Sequence, residues 1–113
     1  MRAKSLKDLV HFDPEDVRRE ALFETEHLFS EVLCFDGKQH VGPMRDDEAD
    51  ALFTVVAGEG RFSVGRRSRT LKQWGVVLVP AGSEVTVGSD AGTKVASEPR
   101  LVPASLVATR RKW

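Results

Sequence analysis

The sequence predicts an all-β protein built as a barrel or sandwich, and three observations carry that reading. Apolar segments are short and recur at roughly 8–12 residue spacing. Turn residues punctuate the gaps between them, as at Asp36-Gly37, Gly58-Glu59-Gly60 and Pro80-Ala81-Gly82. Helical periodicity is nearly absent, whereas a two-residue alternation runs from Ala51 to Val56.

Size and composition bound what such a fold can be. A chain of 113 residues fits one domain with a core of its own. With 41% hydrophobic and 30% charged residues it is ordinary for a globular protein and excludes a disordered one. Cys34 has no second cysteine to pair with, so nothing calls for an oxidising compartment. No apolar run approaches the roughly 20 residues of a membrane span. Lys4 and Lys7 are not followed by the apolar stretch of a signal peptide, so a cytoplasmic location without a membrane partner is expected. The net charge is zero but uneven, with about 14 acidic and 7 basic residues in 1–60 and about 3 and 10 in the remainder. The basic residues are scattered through turns without interleaved aromatics. Attraction between halves of the fold, or to a partner subunit, therefore explains the asymmetry better than nucleic acid does.

In chain order, residues 1–29 are expected to form an N-terminal arm and edge strand packing on a barrel. Asp13-Pro14-Glu15-Asp16 carries the marks of a helix start: a capping residue, a proline at the first position and carboxylates at the positive end of the dipole. A short helical turn is predicted there. The arm's apolar residues, Leu9 to Phe12 with Leu22 and Phe23, look suited to adding a strand to a neighbouring subunit. Leu28 to Phe35 reads as a strand closed by Asp36-Gly37. Residues 36–49 read as a polar, irregular loop.

Two strands are then expected around a Gly58-Glu59-Gly60 hairpin turn, followed by Arg66-Arg67-Ser68-Arg69 as a charged turn. Thr70 to Pro80 gives another strand pair, Glu84 to Gly88 alternates, and Ser89-Asp90-Ala91-Gly92 is a turn. Arg100 to Ala108 supplies the last strand or two, with Pro103 at an edge or bulge. The barrel thus spans residues 30–108, and 109–113 form a tail, frayed from Arg110 onward. No linker or repeat divides the chain.

Two segments of this pattern, Asp50 to Gly65 and Val76 to Gly82, resemble the paired signature motifs of a cupin, a double-stranded β-helix or jelly-roll barrel. The closing glycine of the first motif matches Gly58, and the Pro-x-Gly of the second matches Pro80 and Gly82. In the family's pattern two histidines and a glutamate precede the first glycine, and a third histidine follows the second. Carried across position by position, the histidines fall at Met44 and Asp46, the glutamate at Ala51 and the third histidine at Val85. The second motif's opening glycine falls at Trp74, with Gly75 one place late. Cupin metals want imidazole nitrogens and a carboxylate, and alanine and valine offer no donor atom. The resemblance therefore implies a metal-free, degenerate cupin with no cofactor. The carboxylates of Asp46, Asp47, Glu48 and Asp50 lack the glycine spacing of a calcium loop and read as a solvated acidic turn.

If Ala51 keeps the glutamate's inward orientation, Phe53 and Val55 face the same lumen, as do Val85 and Val87 from the second motif. The expected ligand-binding residues are Met44, Ala51, Phe53, Val85 and Val87, with Asp46 at the mouth. Such an interior describes equally a filled core and an apolar small-molecule site. The function expected is a binding protein for a small apolar ligand or a dimeric scaffold, and the resemblance implies a homodimer into which Trp74 or Trp113 packs. The alternative is a metal-independent enzyme of isomerase or epimerase type. Only His40, with Asp46 or Asp47, offers an acid–base pair for that, and the chain has no tyrosine. A regulatory module contacting protein or nucleic acid through the basic half is a further reading. Cys34, flanked by Glu31 and Asp36, reads as a buried structural residue because acids oppose a thiolate.

Overall fold

The computed structural model describes residues 1–89 and 104–111. Nine strands among them form two antiparallel sheets. They are β1 (Arg18–Glu24), β2 (Leu28–Phe35), β3 (His40–Met44), β4 (Ala51–Ala57), β5 (Glu59–Val64), β6 (Arg67–Lys72), β7 (Val76–Val79), β8 (Val85–Ser89) and β9 (Ala104–Arg111). One sheet has the order β1-β2-β9-β4-β7 and the other β3-β8-β5-β6. Among the described residues no helix is long and apolar enough to cross a membrane.

The core lies between the sheets. Leu33, Phe35, Phe53, Val55 and Val79 from the first meet Phe62, Val85 and Val87 from the second. Phe53 and Phe62 join the two layers as a tilted pair, with centroids 5.6 Å apart and ring planes at 58°. The alternation read from Ala51 to Val56 is borne out: Phe53 and Val55 are buried, while Leu52 on the opposite face is exposed.

Strand pairing departs from sequence order, and this corrects several expectations. β4 and β5 lie in different sheets, so Gly58-Glu59-Gly60 is a corner where the chain changes layer rather than a hairpin turn. Gly58 makes that corner at φ +72°. Likewise β6 and β7 do not pair. The true hairpin is β5–β6, closing at Gly65-Arg66, so Arg67 and Arg69 belong to a strand and not to a charged turn. Residues 40–44, expected as loop, form β3, because β8 offers them a partner from His40↔Gly88 to Met44↔Val85. A bulge at Gly42-Pro43, whose peptide is cis, interrupts that ladder. Arg110 and Arg111, expected to fray, continue β9 opposite Phe29 and Leu28. The expected turn beyond Ser89 and the placement of Pro103 lie outside the described residues.

No helix begins at Asp13. Its Oδ1 instead accepts the Glu15 N–H at 2.9 Å, closing a local turn with an isolated Asp13↔Asp16 bridge. Residues with a short polar side chain compete with the helix in this way, and Arg18-Arg19-Glu20 supplies no apolar stripe to repay helix nucleation. That run opens β1, and the helix present is a short 3-10 helix at Leu6–Leu9.

The arm is tied to its own chain. The guanidinium of Arg2 donates to the Glu24 carbonyl, Lys4 sits over the Phe23 ring, and Leu22 and Phe23 lie in β1, paired to β2. Val32 and Cys34 point away from the core yet are as buried as its members, and the backbone of His11 reaches Cys34. The arm therefore covers the outer face of β2. Burial pushes the Cys34 thiol up, partly offset by the His11 contact.

Candidate functional site

One end of the barrel is filled and the other is open. Phe35, Val55, Phe62 and Val87 close the middle of the sandwich, while a cavity of about 300 Å³ opens beside Met44, Ala51, Phe53, Val79 and Val85. β3 and β8 bring Met44 opposite Val85, and β4 and β7 bring Ala51 opposite Val79. The small Ala51 and the β-branched Val85 leave the space; longer side chains at either position would fill it. Val87, expected to line the lumen, instead lies in the closed core against its cross-strand neighbour Phe62.

The polar wall of the cavity comes from the opposite edge of the same sheet. Arg19 on β1 and Glu31 on β2 form a two-pronged ion pair, Nε to Oε1 at 3.1 Å and Nη2 to Oε2 at 2.7 Å. Both line the cavity. The pair is asymmetric: the Glu31 side chain is 12% exposed and that of Arg19 46%. The hydrogen bond to Glu31 pushes the guanidinium of Arg19 up, burial opposes this, and the carboxylate's charge adds to the rise.

Asp46 also borders the cavity, but its carboxylate is engaged in holding the β3–β4 loop. Oδ1 accepts the backbone N–H groups of Glu48 at 2.9 Å and Ala49 at 3.1 Å, and the Asp46 carbonyl accepts from Gly82 at 2.8 Å. Asp50 ties the same two loops together by accepting the Ala81 N–H at 2.9 Å. Asp47 pairs with Arg45 at 2.8 Å on the surface. The expected acidic turn is thus a loop clamp as much as a solvated cluster.

No protein-family model matches the sequence, and no relative among curated proteins does. Solved structures do. The chain is similar to a protein of Thermus thermophilus at 20% identity and a TM-score of 0.83, over 99% of this chain and 98% of that one. It is similar to an RmlC-like cupin protein of Desulfovibrio desulfuricans at 18% identity and a TM-score of 0.80, over 98% of this chain and 96% of that one. A Klebsiella pneumoniae protein with a double-stranded β-helix domain matches at 18% identity and a TM-score of 0.79, over 98% and 90%. The chain has the cupin fold.

In this cupin barrel the positions that the motifs assign to metal ligands do converge. Met44, Asp46, Ala51 and Val85 all line the one cavity. Their chemistry does not fit the group. Ala51 and Val85 carry no donor, Met44 offers a thioether, and the Asp46 carboxylate already accepts two backbone N–H groups. Among the described residues no three of His, Cys, Asp and Glu gather as a metal would require.

The structure does not bring His40 to Asp46 or Asp47. His40 opens β3 and both aspartates follow its end, so the strand alone separates them by roughly 13 Å. His40 is exposed at the far end of the barrel, beside Asp36 and Gln39. The acid–base pair conceived from sequence spacing is therefore absent as a geometric unit.

What sequence reasoning missed is the Arg19–Glu31 pair. A signal for half of it existed: Glu31 shares the parity of Leu33 and Phe35, so the strand that buries those rings must also turn a carboxylate inward. Its partner was not legible, because β1 was read as the end of an arm.

Proposed function

We propose that this protein is a cupin-fold binding protein that holds a small, largely apolar molecule in the open end of its barrel and does so without a metal. The observation that carries this reading is the cavity: about 300 Å³, walled by Met44, Ala51, Phe53, Val79 and Val85, with the Arg19–Glu31 ion pair among its few polar groups. Pockets for small molecules have this character, an apolar wall with few placed polar groups. Ala51→Phe places a ring into the cavity without touching the closed core. Ligands found by thermal-shift screening of the wild-type chain should lose their effect on that variant while its far-UV circular dichroism is unchanged. Persistence of the shift would place binding elsewhere. Titration with manganese, iron, nickel and zinc should show no stoichiometric tight site, and one would overturn the metal-free reading.

The same chain is proposed to form a homodimer, on a separate observation. The arm covers the outer face of β2 but leaves that of β4 and β7 bare. Leu52 and Leu78 sit opposite each other in the ladder and are 42% and 62% exposed, with Val76 at 54% and Trp74 at 69% just before it. These side chains present roughly 400 Å² of charge-free surface, about half of what each partner buries in a standard interface. An uncharged patch is self-complementary, and β7 is an antiparallel edge strand that a two-fold axis can extend. Leu78→Glu should yield monomers by light scattering; a wild-type monomer at high concentration would refute the proposal.

A further inference from the structure

The cavity's charges decide what kind of molecule the proposed site would take, and this step rests on the binding reading above. Among the described residues, each charged side chain that lines the cavity has a partner. Arg19 is matched by Glu31, Arg45 by Asp47, and the Asp46 carboxylate by two backbone N–H groups. Among the described residues neither cation at the wall lacks a counter-charge. Besides the hydroxyl-bearing Ser83 and Thr109, what remains is the donor capacity of an arginine. A guanidinium has five N–H donors, and Glu31 takes one from Nε and one from Nη2. Among the described residues Arg19 makes no other hydrogen bond, so its remaining N–H groups stand beside an apolar wall. The Glu31 carboxylate, by contrast, is nearly buried and held by two bonds.

We infer that the site selects an uncharged molecule with an apolar body and one acceptor oxygen, such as a ketone, ester or amide carbonyl, which accepts from Arg19. An anionic head placed on the same donors would lie within a few ångströms of the Glu31 carboxylate, which repels it. A cationic head would meet Arg19 itself.

Three probes of one chain length separate these cases: heptan-2-one, heptanoate and heptylamine, titrated calorimetrically into the full chain at neutral pH. Heptan-2-one should bind, with heptanoate and heptylamine at least tenfold weaker. In Glu31→Gln the arginine loses its counter-charge but keeps a hydrogen-bond acceptor beside it. The preference should then reverse, heptanoate binding more tightly than heptan-2-one, a change that a purely structural role for Glu31 would not produce. Wild-type binding of heptanoate as tight as that of heptan-2-one would overturn the inference while leaving the apolar site standing. So would an unchanged order of preference in Glu31→Gln. Failure of all three probes to bind would sink the binding reading itself. Should Glu31→Gln fold poorly, Arg19→Gln gives the parallel measurement: heptan-2-one should weaken at least fivefold, and unchanged affinity would refute the arginine's part.

Discussion

Removing Arg19 should destabilise the barrel more than removing Glu31, and removing both should cost less than the sum of the two single losses. The asymmetry follows from exposure: Glu31 is 12% exposed and Arg19 46%. Two unit charges about 4 Å apart attract by about 4 kcal/mol at an effective dielectric of 20. Water around the half-exposed guanidinium screens that to about 1–2 kcal/mol of net coupling. Arg19→Leu strands a nearly buried carboxylate and is expected to cost about 2 kcal/mol, since it loses the coupling and keeps the desolvation. Glu31→Leu leaves an arginine that can turn its head to solvent, at a cost of about 1 kcal/mol or less. The double replacement puts two leucines at the wall of the cavity and should cost about 1–2 kcal/mol, less than the singles summed. Urea unfolding followed by circular dichroism measures all four corners of this cycle, and Arg19→Leu should also lower Tm by roughly 8 °C. Additive effects across the cycle, or an Arg19→Leu protein as stable as wild type, would refute the claim that this pair is held together in the fold. Because the guanidinium of Arg19 is raised by the Glu31 carboxylate, its contribution is fully present across the neutral range and on the alkaline side is lost only as pH rises through the arginine range. The cycle should therefore give the same coupling at pH 6 and pH 8.

Three further perturbations probe the frame. Gly42→Ala should cost about 3 kcal/mol in the same urea assay: φ is +127°, and a Cβ there would stand 2.7 Å from the Val85 carbonyl and 2.9 Å from the Thr86 Cα, backbone atoms fixed in β8. A loss below about 1 kcal/mol would mean the β3 bulge is more pliable than it looks. Trp74→Gly should raise stability by up to about 1 kcal/mol in the monomeric Leu78→Glu background, because a bulky residue at φ +74° costs about 1–2 kcal/mol and glycine's entropy offsets part of the gain; a clear loss would show that the indole makes contacts worth more than the strain. Cys34 should react with an aromatic disulfide reagent only in denaturant, since it is buried and its thiol is pushed up by that burial. Modification of the native protein at the rate of a free thiol would contradict its placement under the arm.

Local patterns were legible where one strand's own alternation decided the outcome. Leu28 to Phe35 and Ala51 to Val56 carry enough apolar residues at period two to declare both existence and facing. What remained hidden depended on partners distant in sequence. β3 holds His40, Gly42 and Pro43, a poor strand by composition, and exists because β8 pairs with it across a bulge. Gly58 and Trp74 look like hairpin turns because nothing local distinguishes a turn within a sheet from a corner between two. The candidate site shows the same division. Met44, Ala51 and Val85 were placed by motif spacing, since the glycine and proline frame fixes their positions, and Phe53 followed from Ala51 by alternation. Val87 was misplaced because alternation gives a residue's face and not its depth. Arg19 escaped because its partner in pairing and its partner in charge both lie on a strand the sequence did not connect to it.

The feature that argues most directly for binding over catalysis is where the charge went. At the positions the cupin motifs reserve for a glutamate and a histidine stand Ala51 and Val85, and their small volume is the reason a cavity exists beside Phe53 rather than a filled core. The substitutions that remove the donors thus also make the room. Had the barrel simply lost a function, apolar drift would fill the space, since a cavity of this size forfeits packing contacts that larger side chains restore. Instead an ion pair, closed at 2.7 Å, stands at the cavity wall. Such a pair adds little to stability, because desolvation cancels most of its attraction. On the proposed function its cost would be recovered by a ligand that uses the donors it holds in place, which is why the calorimetric preference among uncharged, anionic and cationic probes bears on the whole proposal and not on one residue.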